Sequence, residues 1–414
     1  MTSQGPGDQG SPFQFLLGDL MNMLGGANTD QWELTRAFGL NVATGGAAEP
    51  NVEPLQRIRL EELARVAELH VTETTGMPVS SDGRRVTCIP VGRGDWTARA
   101  LEAWRPVLSA MTAPAPGAES VGTPPSSEQL FGDDASGEGM GEGFGELMNK
   151  WAAAIGPMFV GLQLGSVVGH LSQRALGQYV LALPWPPADE LLIVTANVAS
   201  FAEDWSLPEE EALLWVCARE LASHTVLSRP SVRGRLDELI HQVAESATAA
   251  QGGLSEQLQS LGEGGMDMES LQSLFGDPDA LLGGLLTPEA KHSSDQLTSL
   301  AVVIDAYADH VAESVGTALV SSHSQLAEAW YRRRIERGKG EEAAGSLFGL
   351  DLEQAQVDRG RAFVSGVIER AGQDGLARLW SSARNLPTPA EVDAPGLWLE
   401  RIDLPEIDQP PEDA

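Results

Sequence analysis

Lysine is almost absent from this sequence. It occurs at Lys150, Lys291 and Lys339 alone, and arginine supplies the rest of the positive charge. Positive charge of either kind is scarce: 27 Lys plus Arg stand against 59 Asp plus Glu, a formal net charge of -32. A surface of that sign repels phosphate backbones and anionic lipid. Nucleic acid is therefore not an expected partner; the charge serves solubility, or a basic partner. Cysteine is scarce too. Cys88 and Cys217 lie far apart and form no CxxC pair, which argues against a disulfide framework and against a cysteine-built metal site. Residues Met1–Ser11 contain no basic cluster and no apolar run of signal-peptide type, so the cytoplasm is the expected location.

Long uncharged runs are also rare. One, Trp151–Gln173, lacks Asp, Glu, Lys and Arg and is long enough to cross a bilayer. Gly156-Pro157, Gln163, His170 and Gln173 interrupt it, and its flanks carry no basic orientation signal. It is read as buried helix and not as a membrane span. Gly161, Gly165 and Gly169 recur at i, i+4 and i+8, one helix stripe on which a second helix can come close. Two catalytic motifs are missing as well. No GxSxG occurs, and Gly92-Arg93-Gly94 is followed by no Walker lysine with Ser or Thr.

What is present is an ordinary globular composition, 42% hydrophobic and 21% charged. Helical spacing dominates. It marks Phe13–Leu24, a helix after Asp30 with Trp32, Leu34 and Phe38, and a third opened by Asn51. That third helix carries Leu55, Ile58, Leu60, Leu63, Val66, Ala67 and His70. Arg85–Val91 and Leu191–Val194 read as short strands, and Asp95 as the cap of a helix holding Trp96 and Trp104. Pro208 with Glu209, Glu210 and Glu211 starts a strong helix running to about Leu227. Ser293–Leu319 is another.

The chain divides by composition. Residues 1–112 form an N-terminal helical unit with a flexible tail, and 113–143, rich in Pro, Gly, Ser and acids, read as a disordered linker. Residues 144–403 form the larger domain, with a loose amphipathic insertion at 251–287, and 404–414 an acidic tail. The fold class is mainly α, α+β only through a minor strand content.

One segment points to chemistry. A zinc peptidase places two histidines four apart on a helix, with a glutamate beside the first as general base and a third ligand from a later segment. Here Arg219-Glu220-Leu221-Ala222-Ser223 keeps the glutamate and lacks both histidines. Its surroundings resemble a bacterial zincin-like family of zinc-dependent metalloproteases or hydrolases. The likeness rests on Leu176-Gly177-Gln178-Tyr179, Val194–Asn197 and Trp215. It extends through Ile304–Val311, Leu347–Asp351, Arg359-Gly360, Phe363, Asn385–Pro389 and Trp398. The resemblance covers roughly residues 145–403 and, more loosely, the N-terminal helices. It implies a zincin-like helical metallopeptidase domain in which Arg219, Ser223 and Asp305 stand at the three former metal positions and Glu220 is a vestigial general base.

The departures fall on the metal. An arginine offers only donors and cannot ligate zinc, yet it can supply the missing positive charge and pair with Glu220 or Asp305. The expected protein is a non-catalytic relative without a cofactor, its cleft kept for a protein or peptide partner. The alternative is an active metallohydrolase with zinc in a rebuilt site of Glu220, His224, Asp305 and His310, with Asp309 as a further candidate ligand. Arg332, Arg333, Arg334 and Arg337 form a basic cluster, read as a solvated helix face, or as a contact for an acidic partner or the chain's own acidic linker.

Overall fold

The structure is a computed structural model that describes residues 31–80, 83–112, 160–262 and 288–405. The expected helix at Phe13–Leu24, the linker 113–143, the insertion beyond residue 262 and the tail beyond residue 405 lie outside them.

Among the described residues the protein is helical apart from one small sheet. Helix α1 spans Gln31–Thr44 and α2 Pro54–Thr75. Strand β1, Thr87–Pro90, comes after them, then α3, Arg93–Thr112. Helix α4 covers 160–172. Strand β2, Glu190–Ile193, pairs in parallel with β1, Cys88 opposite Leu191 and Ile89 opposite Leu192. Helices α5, Thr195–Asp204, and α6, Glu209–Leu227, come next. They lead to α7, Pro230–Gly262, α8, Pro288–Leu319, and α9, His323–Ile335. The chain continues through α10, Lys339–Phe348, and α11, Gln354–Ala377, to the short α12, Pro389–Asp393, and α13, Pro395–Asp403.

Helix α6 is the axis. Its three first-turn glutamates complement the helix dipole, and Ala212–Leu227 is buried without interruption. A helix covered all round has no solvent stripe, so its sequence shows little 3.6-residue alternation. Helices α2, α5 and α8 pack against it. Helix α8 is in turn covered by α7 and α11. Close approach depends on glycine at two crossings. A Cβ on Gly360 would lie 2.4 Å from the Val302 carbonyl oxygen, and one on Gly316 2.8 Å from the Trp215 ring.

The stripe Gly161, Gly165, Gly169 lies against α1, facing Thr35, Gly39 and Val42. A Cβ on Gly165 would stand 2.3 Å from the Thr35 carbonyl oxygen, so α1 and α4 touch backbone to backbone. Among the described residues no helix is long and apolar enough to cross a membrane.

The helices and strand on the N-terminal side of residues 113–143 share one core with the elements on the C-terminal side. Trp96 and Trp104 of α3 stack edge-on with Trp185 and Phe348, at centroid separations of 5.2–6.1 Å. Among the described residues strand β1 pairs with β2 alone. The third expected helix starts at Pro54, and its buried stripe is Leu60, Ala64, Ala67, Val71 and Thr75. Leu55, Ile58 and Val66 are exposed. The helix meets α6, α8 and β1 along this one stripe, and the apolar side chains that lie off it remain outside.

Candidate functional site

Three helices bring charge into the core. On α6, Arg219 and Glu220 are adjacent and only 4% and 3% exposed. On α8, Asp305 and Asp309 are four residues apart and share a face. On α9, Trp330 and Arg334 are likewise four apart. The crossing of α8 on α6, with α9 returning after α8, closes these faces on one another.

The result is a closed ring of ion pairs. Arg219 donates from Nη2 to Asp305 Oδ1 at 2.7 Å and from Nε to Asp309 Oδ1 at 3.1 Å. Arg334 donates from Nη2 to Asp305 Oδ2 at 3.1 Å and from Nη1 to Asp309 Oδ2 at 2.5 Å. Each aspartate thus gives one oxygen to each arginine. Trp330 adds an indole N–H to Asp309 Oδ1 at 2.9 Å, and its ring lies 4.7 Å from the Arg219 guanidinium carbon. Two cations and two anions, each doubly bonded, compensate the desolvation that an isolated buried charge would suffer.

The electrostatics reflect that arrangement. Burial alone would lower the Arg219 pKa, but Asp305, Asp309 and Glu220 outweigh it and raise it above the ordinary arginine value. Burial would raise Asp309; Arg334 and then Arg219 reverse this and hold it below the usual carboxylate range. Glu220 stands apart from the ring. Its Oε2 accepts the Tyr179 backbone N–H at 2.7 Å, and its Oε1 accepts Arg219 Nη1 at 3.4 Å. Burial pushes its pKa up to about 7, against the opposing pull of Arg219 and of the Tyr179 N–H. Glu220 is also pressed on Gly177, where a Cβ would lie 2.4 Å from its carboxyl carbon.

Glu220, Asp305 and Asp309 therefore gather around Arg219. Ser223 is buried one turn further along α6. His224 turns to Tyr179, whose hydroxyl shares a 2.9 Å hydrogen bond with His224 Nδ1. His310 lies on another face of α8, its Nε2 3.0 Å from Gln373 Nε2, and burial lowers its pKa. The structure does not bring either histidine to the carboxylates of the ring.

Arg334 and Trp330 are site residues that sequence pattern alone did not assign. The cluster Arg332, Arg333, Arg334, Arg337 was expected to be a solvated face, and this holds for Arg332, which is exposed and pairs with Glu328. It fails for Arg334, because α9 lays that side of the helix on the two aspartates. The signal in the sequence was an imbalance: two acids four apart on α8 with one arginine to answer them, and Trp330 four residues before Arg334.

The donor set can be tested against zinc. A zinc ion needs lone pairs from three protein ligands. The position of the first histidine holds a guanidinium with none to give, and that of the second a serine. Both oxygens of Asp305 already accept arginine N–H groups. Among the described residues no three His, Cys, Asp or Glu side chains are grouped to hold a metal ion. The residues present do not fit the metal.

Above the ring opens a shallow cleft, partly open to solvent, bounded by the Leu176–Leu181 segment, α9, α10 and the start of α11. Two facing helices, α6 and α8, thus lie beneath the cleft. The sequence model of the zincin-like metallopeptidase family matches residues 31–399, and the chain belongs to that family. No curated protein matches the chain. Among solved structures it is similar to a protein from Chloroflexus aurantiacus, provisionally classed as a hydrolase and described as having a novel fold. The two are 22% identical, with a TM-score of 0.60, over 91% of this chain and 99% of the other.

Proposed function

We propose that this protein is a non-catalytic member of its family and acts as a protein- or peptide-binding module. One observation carries the reading. Arg219, which the family resemblance aligns with the first metal ligand, pairs with Glu220, Asp305 and Asp309, the carboxylates that a cation would otherwise hold. A zincin activates a metal-bound water beside a glutamate. Here Glu220 has its basic oxygens engaged by Tyr179 N–H and by Arg219, and no residue set around it can present that water. The cleft over the ring is open to solvent and has both apolar and polar walls, the mixed surface that a peptide can line. Binding without cleavage is the use that remains.

The test is a fluorogenic peptide library incubated with the full chain, with and without added zinc. No turnover is expected in either condition, while immobilised peptides of the same library retain the protein. Zinc-dependent turnover that Glu220→Gln abolishes would overturn the proposal.

A further inference from the structure

The cleft is cationic in a strongly anionic chain. Its walls carry Arg174, Arg333 and Arg337 besides the two arginines of the floor. The floor arginines are answered by Asp305 and Asp309, and Arg174 by Glu341 at 3.0 Å. Arg333 and Arg337 have no carboxylate within ion-pair distance among the described residues. Arg333 donates to the Arg174 carbonyl oxygen and lies over the Phe201 ring. Arg337 donates from Nε to the Arg334 carbonyl oxygen at 3.4 Å. Both are half-buried.

We propose that this cleft binds a peptide through a carboxylate, an acidic side chain or the C-terminal group, held by Arg333 and Arg337 with Arg174 beside them. The proposal rests on the peptide-binding reading above and names its ligand. Guanidinium forks match carboxylates in plane and can bind them bidentately. The same cleft is walled by Leu176, Val180 and Leu352. A bare inorganic anion would leave those walls unused, whereas a peptide covers them. Burial, and then the neighbouring Arg174, hold the Arg333 pKa down to about 10, and burial and then Arg334 lower that of Arg337. Glu341 and Asp204 offset this only in part at Arg333, as do Glu341, Asp351 and Glu342 at Arg337, and a carboxylate arriving at closer range would add to that compensation. The remainder of the surface repels acidic ligands, so the attraction is confined to the cleft.

The test is fluorescence anisotropy with the full chain and two labelled hexapeptides: one of alternating Leu and Glu with a free C-terminus, the other of alternating Leu and Gln with a C-terminal amide. The acidic peptide should bind at least about ten-fold more tightly, the worth of a charge-assisted hydrogen bond. Arg337→Gln should weaken it by about ten-fold with an unchanged thermal midpoint, since that side chain makes one long hydrogen bond in the fold. Adding Arg333→Gln should remove the preference between the two peptides. Equal binding of both peptides would overturn the carboxylate assignment and leave the peptide-binding reading standing. Binding of neither would overturn both. Displacement of the acidic peptide by millimolar inorganic phosphate would show a site for bare anions and overturn the assignment to a peptide.

Discussion

The floor of the cleft and its rim use the same side chain under opposite conditions. On the floor, Arg219 and Arg334 meet Asp305 and Asp309 oxygen by oxygen, and every donor directed inward has an acceptor. On the rim, Arg333 and Arg337 rest on carbonyl oxygens and an aromatic ring, with no carboxylate at ion-pair distance among the described residues. A fully compensated buried ring is structural, because removing one member strands the others. An uncompensated half-buried cation adds little to the fold and remains free to meet a ligand. Floor and rim thus divide the arginines whose partners are buried with them from those that have none at ion-pair distance among the described residues.

The largest break in the comparison is Arg219→Ala. Removing one partner of a buried ion pair costs about 3–5 kcal/mol, mostly from the charges left behind. Urea denaturation should show a loss of that order, and added zinc should not restore it, since the position still lacks a ligand. A loss below about 1 kcal/mol would place Arg219 among surface pairs of small value.

Gly177→Ala should come next. The new methyl group would displace the Glu220 carboxylate from the Tyr179 N–H. Overpacking of this kind costs roughly 1–3 kcal/mol. A thermal midpoint equal to that of the natural chain would show that the Glu220 position tolerates displacement.

The third test is a pH dependence. The folded-state pKa of Glu220 is raised from 4.5 to about 7, chiefly by burial. A carboxyl group with a raised pKa contributes stability that is fully present below its unfolded value. That contribution is lost as pH rises through the folded one. Between pH 5 and pH 8 the natural chain should therefore lose stability relative to Glu220→Gln, measured by denaturant titration at each pH. Asp309, whose pKa is lowered, acts with the opposite sign and below this window. Parallel stability profiles for the two proteins would contradict the assignment. The smallest effect belongs to the rim, where Arg337→Gln should change stability by no more than about 0.5 kcal/mol. A large loss there would erase the distinction between floor and rim.

Much of this was legible in the sequence. Pro208 with three glutamates announced α6, and the pairing of Arg219 with Glu220 and Asp305 was expected from its place beside Glu220. The glycine stripe announced a close helix contact, which α1 and α4 make. Two things were not legible, for one reason. The helix at Pro54–Thr75 buries Leu60, Ala64, Ala67 and Val71, leaving Leu55 and Ile58 outside, and Arg334 turns inward while Arg332 turns out. Periodicity reveals that a helix has faces, but which face is covered depends on the neighbour it meets. Asp305 and Asp309 could be identified as acidic residues sharing a helix face; that two arginines from different helices would bracket them required the crossing of α8 on α6 and the return of α9.

The central claim is that an arginine stands where the family places a metal ligand. Isothermal titration of zinc into protein purified without added metal tests it most directly, with the Arg219→His, Ser223→His variant alongside. The natural chain should show no stoichiometric binding, and the variant should acquire a zinc site by regaining two imidazoles four residues apart on α6. Tight one-to-one zinc binding by the natural chain would contradict the account.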